Sequence, residues 1–391
     1  MLKAIPDSST GRCPPLALRA SSIERNGIRA VWEIASTAEN VIHLEIGDPD
    51  METPAHIVDA AHHAWRHGKT RYAPAAGIPE LRAAAAASLR RHGVDVRAGE
   101  VLVTQGSTQG IFLALAVCAS PGKRILVPEI AWPAYRAMAT LADLEVTAYS
   151  PQWFETGPGP DIVEPRPEGA AAIVVNSPSN PTGSVMSSPG MRNLVDFAVE
   201  HDIFVLSDEC YDEMCFAGCH VSPLAFDRER CLAAYSLSKT YAMSGWRIGY
   251  LVVPPDIAAV AERAQEAMLA CVSTPTQWAG LAALTGPQDC VAQMRQVYLS
   301  RAKLAASVLR AAGIPAEVPA GALYLWLDIS PFHLTADACS DVLLRAHQVA
   351  VAPGSVFGPK GARYLRLSLT VDEDDLRLGA ARIAQLVREP N

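Results

Sequence analysis

The most informative part of the chain is Ser236-Leu-Ser-Lys-Thr-Tyr-Ala-Met-Ser-Gly-Trp-Arg-Ile-Gly-Tyr250. An apolar run precedes it at residues 231–235, and its last residues begin a strand-like run at 249–253. Lys239 lies in a turn rich in Ser and Thr, and Arg247 follows it. Hydroxyls and an arginine can hold a phosphate while the lysine amine forms a Schiff base with a carbonyl compound. The alternative is an ordinary surface lysine in a loop. The strands around this stretch help to decide between the two interpretations.

Strand-like and helix-like segments alternate from residue 101 onward. The strand candidates are residues 101–104, 124–128, 145–149, 172–176, 203–208, 232–236 and 249–253. Helical patterns lie between several of them, at 108–118, 134–142 and 190–200. This alternation predicts an α/β fold whose mostly parallel sheet is covered by helices on both faces. Ligands of such sheets bind at the carboxyl ends of the strands.

The flanking segments predict further helices and a second, smaller α/β unit. Toward the N-terminus we expect helices at 23–38, at 54–66 with Thr53 as N-cap, and at 78–92, and a strand at 41–46. Toward the C-terminus we expect a helical region at 257–284 that breaks at Pro275, and a helix at 288–312. Strands at 322–328, 347–352 and 363–370 and helices at 336–346 and 372–388 complete the smaller unit. The boundary between the two units is expected between residues 257 and 286.

Composition narrows the class of protein. The chain has 391 residues and a formal net charge of −8, half of its residues are hydrophobic and 19% are charged. This is the composition of a globular protein with room for two domains. The negative charge and the lack of a Lys/Arg-rich run argue against a nucleic-acid partner. The chain has no stretch of about 18 or more apolar residues, so no membrane span is predicted.

Cysteine usage and the N-terminal residues predict a cytoplasmic protein. The first residues lack the apolar segment of a signal peptide. The nine cysteines are an odd number scattered mostly in apolar runs, as expected of reduced thiols. Cys210, Cys215, Cys219 and His220 cluster, but their spacing matches no standard zinc pattern, and buried thiols beside a turn explain them better.

Polar residues follow two of the predicted strands in glycine- and proline-rich turns. Ser107 and Thr108 lie in Gly106-Ser-Thr-Gln-Gly110, which opens a helix and could bind an anion. A simple helix N-cap explains the same residues. Asn176-Ser-Pro-Ser-Asn-Pro-Thr-Gly183 follows the strand at 172–176, and its two asparagines could hydrogen-bond a phenolic oxygen in the cleft. The alternative is a structural Asn-Pro turn.

An acidic residue ends the strand at 203–208. Because a buried carboxylate is costly without a partner, a protonated pyridine nitrogen could be the partner of Asp208. Tyr211, three residues later, could reach an oxygen on the same ring. A solvated acidic turn is the alternative.

Two further side chains suit a flat, anionic ligand. Trp132 follows the strand at 124–128 and could stack on an aromatic cofactor, although a buried core tryptophan is the alternative. Arg366 alternates with apolar residues in Tyr364-Leu-Arg-Leu-Ser-Leu369 and could bind a carboxylate with two hydrogen bonds. An exposed strand arginine would show the same pattern.

In chain order, these strings resemble the class I/II, fold type I pyridoxal-phosphate-dependent aminotransferases of the aspartate aminotransferase superfamily. The resemblance extends from about residue 27 to the C-terminus. It rests on Gly47-Asp-Pro-Asp50 with Thr53-Pro54, Tyr72-Ala-Pro-Ala-Ala-Gly-Ile-Pro-Glu-Leu-Arg82, Asn176 with Asn180-Pro-Thr-Gly183, Asp208-Glu-Cys-Tyr211, Ser236-Leu-Ser-Lys239 and Trp246-Arg-Ile-Gly249. Gly321-Ala-Leu-Tyr324 resembles a further family string with one residue replaced.

The resemblance implies a large domain with a mostly parallel seven-stranded sheet between helices. A smaller α/β domain would come from the C-terminal part and the N-terminal segment. The expected ranges are 1–46 for the N-terminal segment, which packs on the small domain and a partner, 47–270 for the large domain and 271–391 for the small domain.

The resemblance also implies how the cofactor, pyridoxal 5′-phosphate, would be held. Lys239 would form the Schiff base and later move the substrate's α-proton, while Asp208 would pair with the pyridine nitrogen. Tyr211 and Asn180 would bind the phenolic oxygen, and Trp132 would stack on the ring. The residues expected to hold the phosphate are Ser107, Thr108, Ser236 and Arg247.

Substrate binding and assembly are implied in the same way. Arg366 would bind the substrate's α-carboxylate with help from Asn180 and the backbone at Gly47. Tyr72 would reach the phosphate of the partner subunit, which implies a homodimer with shared sites. The side-chain pocket is expected to include Asn26, Gly27, Ile28, Trp132, the partner's Tyr72 and residues 273–276.

The expected activity is transfer of an amino group between an L-amino acid and a 2-oxo acid, in amino-acid metabolism or biosynthesis. A lyase, cyclase or oxidase acting on an amino acid would need the same cofactor site. A non-catalytic, cofactor-sensing regulator is a third hypothesis, disfavoured because the segment before Gly47 is too short for an added domain. No arginine for a distal carboxylate is evident, so the sequence gives no support for aspartate specificity.

Overall fold

The computed structural model describes residues 16–386, which form two β-sheets with helices packed around them. The larger sheet has seven strands in the order β2-β8-β7-β6-β5-β3-β4. Its strands are β2 (Val101–Thr104), β3 (Arg124–Pro128), β4 (Glu145–Tyr149), β5 (Ala170–Asn176), β6 (Phe204–Glu209), β7 (Cys231–Ser236) and β8 (Gly249–Val252). All neighbours are parallel except that β8 runs antiparallel to both β2 and β7. The predicted mostly parallel, seven-stranded α/β fold is confirmed.

The large sheet is apolar because helices cover both of its faces. Val103, Val205 and Ala233 point into one core, while Leu102, Leu206 and Leu232 point into another. The helices in the first three-quarters of the chain are α1 (Leu18–Ser21), α2 (Gly27–Ala35), α3 (Ala55–Arg66), α4 (Pro79–Arg91), α5 (Gly106–Cys118), α6 (Ala134–Leu141), α7 (Gln152–Thr156), α8 (Ser188–Glu200), α9 (Leu237–Thr240), α10 (Pro255–Leu269) and α11 (Thr274–Thr285). Alternation of side chains along each strand therefore feeds two separate hydrophobic layers.

The smaller sheet has four strands in the order β1-β10-β11-β9. They are β1 (Ile42–Leu44), β9 (Tyr324–Asp328), β10 (Val349–Pro353) and β11 (Tyr364–Ser368). β1 is parallel to β10, and the other pairs are antiparallel. The helices α12 (Asp289–Ala311), α13 (Ala336–His347) and α14 (Glu373–Leu386) contribute buried residues to the same core. The early strand β1 thus joins the C-terminal part, as the resemblance implies.

Two local predictions were wrong. Pro275 lies in the first turn of α11 and does not break a helix, because the chain leaves the helical conformation earlier, between α10 and α11. Proline is well tolerated in a first turn, where its missing N–H has no helical partner. Thr53 does not cap α3, since Pro54 holds the N-cap position and the Thr53 hydroxyl donates to the Ala242 carbonyl at 2.6 Å.

Helix α11 bears on the division into domains. Val272, Ala279, Ala283 and Leu284 lie in the core beneath the large sheet, together with residues of α3 and α4. We propose that the boundary of the small domain lies after α11, close to residue 286, which is later than the predicted residue 271.

The predicted C-terminal helix at 372–388 ends at Leu386 in the described part, and residues 387–388 lie outside it. Residues 1–15 of the expected N-terminal segment also lie outside the described part. Among residues 16–386 no helix combines the length and the hydropathy that a membrane span requires.

Candidate active site

A cavity of about 860 Å³ opens at the carboxyl ends of the large-sheet strands, next to β1 and β11. We call it the central cavity. Its lining includes all the residues predicted to bind the cofactor or the substrate's α-carboxylate except Tyr72: Gly47, Ser107, Thr108, Trp132, Asn180, Asp208, Tyr211, Ser236, Lys239, Arg247 and Arg366. Of the predicted side-chain pocket, Asn26 and Ile28 also line it, whereas Gly27 and residues 273–276 do not. The side chains that were predicted to meet at the ends of the strands therefore line one cavity.

Lys239 follows β7 on the single helical turn α9. Its Nζ donates a hydrogen bond to the Gly47 carbonyl at 2.8 Å and lies 4.0 Å from the Asp48 carboxylate. The side chain is only 15% exposed, so the amine is held inside the cavity. An amine placed in this way is suited to attack a carbonyl group.

Asp208 lies near the end of β6 and is buried. Burial raises the pKa of its carboxyl group to about 6, although hydrogen bonds from Tyr135 and the Cys210 amide oppose the shift. The Tyr135 hydroxyl donates to Oδ2 at 2.6 Å and the Cys210 amide donates to Oδ1 at 3.2 Å. A cationic partner would stabilise the ionised form. Sequence reasoning missed Tyr135, and its place three residues after Trp132, in the same strand-end segment, was the available signal.

The start of α5 forms a cradle beside Arg247. Gly106 has φ +74°, and a Cβ atom there would lie 2.7 Å from Arg247 Nη2. Arg247 itself has φ 54°, and its guanidinium donates to the carbonyls of Ser244 at 2.7 Å and Gln105 at 3.3 Å. Together with the hydroxyls of Ser107 and Ser236, this arrangement suits an anion.

Arg366 lies on β11 and is 2% exposed. Nη1 donates to Asn180 Oδ1 at 2.9 Å and Nη2 donates to the Glu45 carbonyl, while Nε has no partner within residues 16–386. Burial lowers the pKa of the guanidinium, and the nearby Glu45 carboxylate acts in the opposite direction. A carboxylate would supply the missing charge and hydrogen bonds.

Tyr324 is a second residue that the site prediction missed. Its hydroxyl lies 2.8 Å from the Tyr211 hydroxyl, and its ring lies 4.1 Å from the Arg366 guanidinium carbon. A Cβ atom on Gly47 would lie 2.1 Å from the Tyr324 hydroxyl, so this ring explains why position 47 has no side chain. The signal was present in Gly321-Ala-Leu-Tyr324, but no role was drawn from it.

The turn after β5 is tied to Asp208 through its asparagines. Asn176 Nδ2 donates to the main-chain carbonyl of Asp208 at 2.9 Å, and Asn176 Oδ1 accepts from the main-chain N–H of Asn180 at 2.7 Å. Because Asn180 Oδ1 accepts from Arg366, its Nδ2 is the atom that remains to donate to a ligand. Trp132 is partly buried at the cavity wall and packs edge-on against Tyr135, with 5.5 Å between ring centroids.

Tyr72 lies outside the central cavity and is 89% exposed. Cys210 lies inside it, and burial raises the pKa of its thiol to about 12. Among residues 16–386 no group of His, Cys, Asp or Glu side chains is arranged to hold a metal ion.

Comparison with known proteins decides the family. The model of the family described as aminotransferase class I and II matches residues 39–383. This chain belongs to the class I and II aminotransferases. An aspartate aminotransferase of Pyrococcus abyssi is 34% identical over 95% of this chain and 98% of its own length. An aromatic-amino-acid aminotransferase of Thermococcus litoralis is 32% identical over 96% of this chain and 98% of its own length.

Solved structures of aminotransferases share the fold. The aspartate aminotransferase of Thermus thermophilus with maleate has a TM-score of 0.88 and 33% identity, covering 96% of this chain and all of that one. The protein is therefore a pyridoxal-phosphate-dependent aminotransferase of fold type I.

The side chains of this aminotransferase fit the cofactor. The raised pKa of Asp208 marks a carboxylate whose ionised form lacks a cation. Gly106 leaves open the space beside Arg247 that a side chain would fill, which suits a phosphate. The largely buried Lys239 amine lies in the same cavity and suits the aldehyde.

Proposed function

We propose that the central cavity holds pyridoxal phosphate on Lys239 and uses it to move an amino group between an L-amino acid and a 2-oxo acid. The observation that carries this proposal is the presence in one cavity of a largely buried amine, a buried carboxylate and a cradle suited to a phosphate. The bound cofactor supplies an electron sink that stabilises negative charge at the substrate's α-carbon.

Asp208 would hold the cofactor's pyridine nitrogen as a cation, since its carboxylate is buried and has only neutral hydrogen-bond donors around it. Tyr135 and the Cys210 amide would fix the orientation of this carboxylate. Ser107, Thr108, Ser236 and Arg247 would bind the phosphate, and Trp132 would cover the ring. Tyr211 and the Nδ2 atom of Asn180 would donate to the phenolic oxygen.

Arg366 would orient the substrate through its α-carboxylate, as its unpartnered Nε and its bond to Asn180 suggest. The Gly47 carbonyl accepts a hydrogen bond from the Lys239 amine at 2.8 Å, and Nζ of this lysine would take up the substrate's α-proton. Because Lys239 and Arg366 line the same cavity, the proton acceptor and the carboxylate anchor would contact one substrate.

The competing outcomes are elimination, cyclisation and oxidation of an amino acid. The family match and the aminotransferase relatives do not favour them. The test is a single-turnover reaction with an amino acid, followed by a 2-oxo acid. We expect one equivalent of oxo-acid product, no free ammonia or peroxide, and a second turnover only after the 2-oxo acid is added. Continuous ammonia or peroxide release without a 2-oxo acid would contradict the proposal.

We also propose that two copies form a homodimer in which Tyr72 of each copy completes the other's phosphate site. Tyr72 supports this because its ring is almost fully exposed and lies outside its own central cavity. A cytoplasmic location and a role in amino-acid biosynthesis are further proposals. The eight free cysteines within residues 16–386 suit a reducing compartment.

A further inference from the structure

His43 and Glu45 form a hydrogen-bonded pair in the wall of the central cavity. Ile42 and Leu44 on β1 point into the small-domain core, so His43 and Glu45 face the opposite side. Glu45 is fully buried, and its Oε1 accepts from His43 Nδ1 at 2.9 Å. Its Oε2 has no partner within residues 16–386. A buried carboxylate of this kind is costly to maintain and calls for an explanation.

Glu45 also connects this pair to Arg366, which is proposed to bind the substrate's α-carboxylate. Its main-chain carbonyl accepts from Arg366 Nη2, while its side chain contacts His43. The side chain of an α-amino acid leaves the carbon next to the carboxylate. A substrate held by Arg366 therefore places its side chain close to this wall, where Ile28 and Trp32 of α2 line the same cavity.

The chemistry of the pair defines what it can bind. A carboxylate only accepts hydrogen bonds, so Nδ1 of His43 carries the hydrogen that is donated to Glu45. In the imidazole form of the ring, the remaining nitrogen, Nε2, is therefore an acceptor. The His43 side chain is 42% exposed, and Nε2 has no partner in the described part of the chain. Once the substrate's α-carboxylate neutralises Arg366, the charge of Glu45 remains uncompensated. The wall then accepts hydrogen bonds and repels anions.

We propose that His43 is a specificity-determining residue that accepts a hydrogen bond from an N–H or O–H group on the substrate's side chain. Glu45 is its positioning residue and disfavours a second carboxylate. The inference rests on the proposed binding of the α-carboxylate by Arg366. It predicts a preference for amino acids whose side chain carries a hydrogen-bond donor over those whose side chain carries a carboxylate.

Two other interpretations give different results. Glu45 could only balance the charge of Arg366, in which case removing His43 would leave the choice of side chain unchanged. Arg29 also lines the cavity and is exposed, with its guanidinium carbon 5.4 Å from the Trp32 ring centroid. If Arg29 bound a distal carboxylate, the enzyme would prefer acidic substrates and would lose that preference on Arg29→Ala.

The experiment compares kcat/KM within two matched pairs, asparagine with aspartate and tyrosine with phenylalanine, with alanine as a common reference. Wild-type enzyme should favour asparagine and tyrosine. His43→Phe keeps a ring but removes Nε2, and each ratio should fall about 3- to 10-fold, as expected for the loss of one hydrogen bond. Arg29→Ala should leave both ratios unchanged.

His43→Phe leaves the buried carboxylate of Glu45 without a hydrogen-bond partner, and this variant could fail to fold. A second variant is therefore needed. His43→Phe combined with Glu45→Leu removes the buried charge as well, and the asparagine/aspartate ratio should fall further than in the single variant. A wild-type enzyme without these preferences, or ratios unchanged in both variants, overturns the inference. An enzyme that converts none of the common L-amino acids in the presence of a 2-oxo acid contradicts the proposed function itself, and the inference with it.

Discussion

At the scale of single residues, Asp208 makes cofactor binding depend on pH. The pKa of its carboxyl group is about 6, so the group is increasingly protonated as the pH falls through that value. Only the carboxylate attracts a protonated pyridine nitrogen. We therefore expect the affinity for pyridoxal phosphate to be full above pH 7 and to fall as the pH drops below about 6, measured by fluorescence titration.

Tyr135 provides the matched variant for this prediction. Its hydrogen bond to Oδ2 lowers the pKa of Asp208, so Tyr135→Phe should raise that pKa and move the loss of affinity to higher pH. An affinity that does not change between pH 5 and 8 in either protein would show that Asp208 does not pair with the cofactor.

Gly47 gives a second prediction at this scale. An added Cβ would lie 2.1 Å from the Tyr324 hydroxyl and 2.4 Å from a ring carbon. Gly47→Ala should displace Tyr324 from Arg366, raise the KM for amino acids and cost about 1–3 kcal/mol of unfolding free energy. Gly99→Ala is the control, because nothing lies within 4 Å of its added Cβ. Equal KM and stability in the two variants would contradict the steric argument.

Which side chains converge could largely be predicted from the sequence, whereas their contacts could not. Residues at the ends of parallel strands must share one edge of the sheet, and this brought Asp208, Asn180 and Lys239 together. Tyr135 and Tyr324 were missed because their hydrogen bonds join segments far apart in the chain. The roles assigned from the family resemblance stay predictions.

At the scale of elements, an ion pair fixes the loop that carries Gly47. Arg301 on α12 donates to both oxygens of Asp50, at 2.8 Å each, and also to the Leu369 carbonyl at 3.2 Å. The same loop is held at Thr53, whose hydroxyl accepts from the Trp246 indole at 3.0 Å. The Gly47 carbonyl, which contacts Lys239, therefore depends on contacts from distant elements.

Arg301→Lys tests this arrangement. Lysine cannot reproduce the bidentate pair of hydrogen bonds to Asp50. We therefore expect a loss of about 1–3 kcal/mol of unfolding free energy and a lower kcat. Chemical denaturation and steady-state kinetics measure the two effects. Arg310→Lys is the control because Arg310 lies exposed near the end of the same helix. If Arg301→Lys behaved like the control, the ion pair would not position the loop.

Element boundaries were predicted best where an apolar strand ends at polar turn residues. β2, β3 and β4 have the predicted bounds for this reason. Short helices such as α7 were not predicted, because five residues show no clear periodicity. Pro275 was misread because proline both ends helices and begins them, and only the packing of α11 on α3 and α4 distinguishes the two cases.

At the scale of the whole molecule, the central cavity uses both sheets. Asp208 and Lys239 come from the large sheet's side, while Arg366 comes from β11 of the small sheet. The sequence pattern predicted two α/β units, and the family resemblance implied that the N-terminal segment joins the second. The boundary between the two units could not be predicted in the same way. Helix α11 is apolar on several sides, so its pattern alone does not show which of the two hydrophobic cores it packs into.

Mixed subunits test whether the active site is shared. Lys239→Ala removes the proposed attachment point, and Tyr72→Ala removes the proposed contact with the partner's phosphate site. A dimer of one subunit of each kind contains one site with both residues intact. Mixing the two weakly active variants after partial unfolding and refolding should therefore restore activity, measured as oxo-acid formation. Activity equal to the average of the separate variants would contradict a shared site.

The most direct test of the central claim is the chemical attachment of the cofactor. The purified protein is loaded with pyridoxal phosphate, its absorbance spectrum is recorded, and borohydride is added before peptide mapping. We predict a long-wavelength band that borohydride abolishes and a stable cofactor adduct on the peptide that carries Lys239. The absence of such a band, or attachment at another lysine, would contradict the assignment of Lys239 and of the cavity around it.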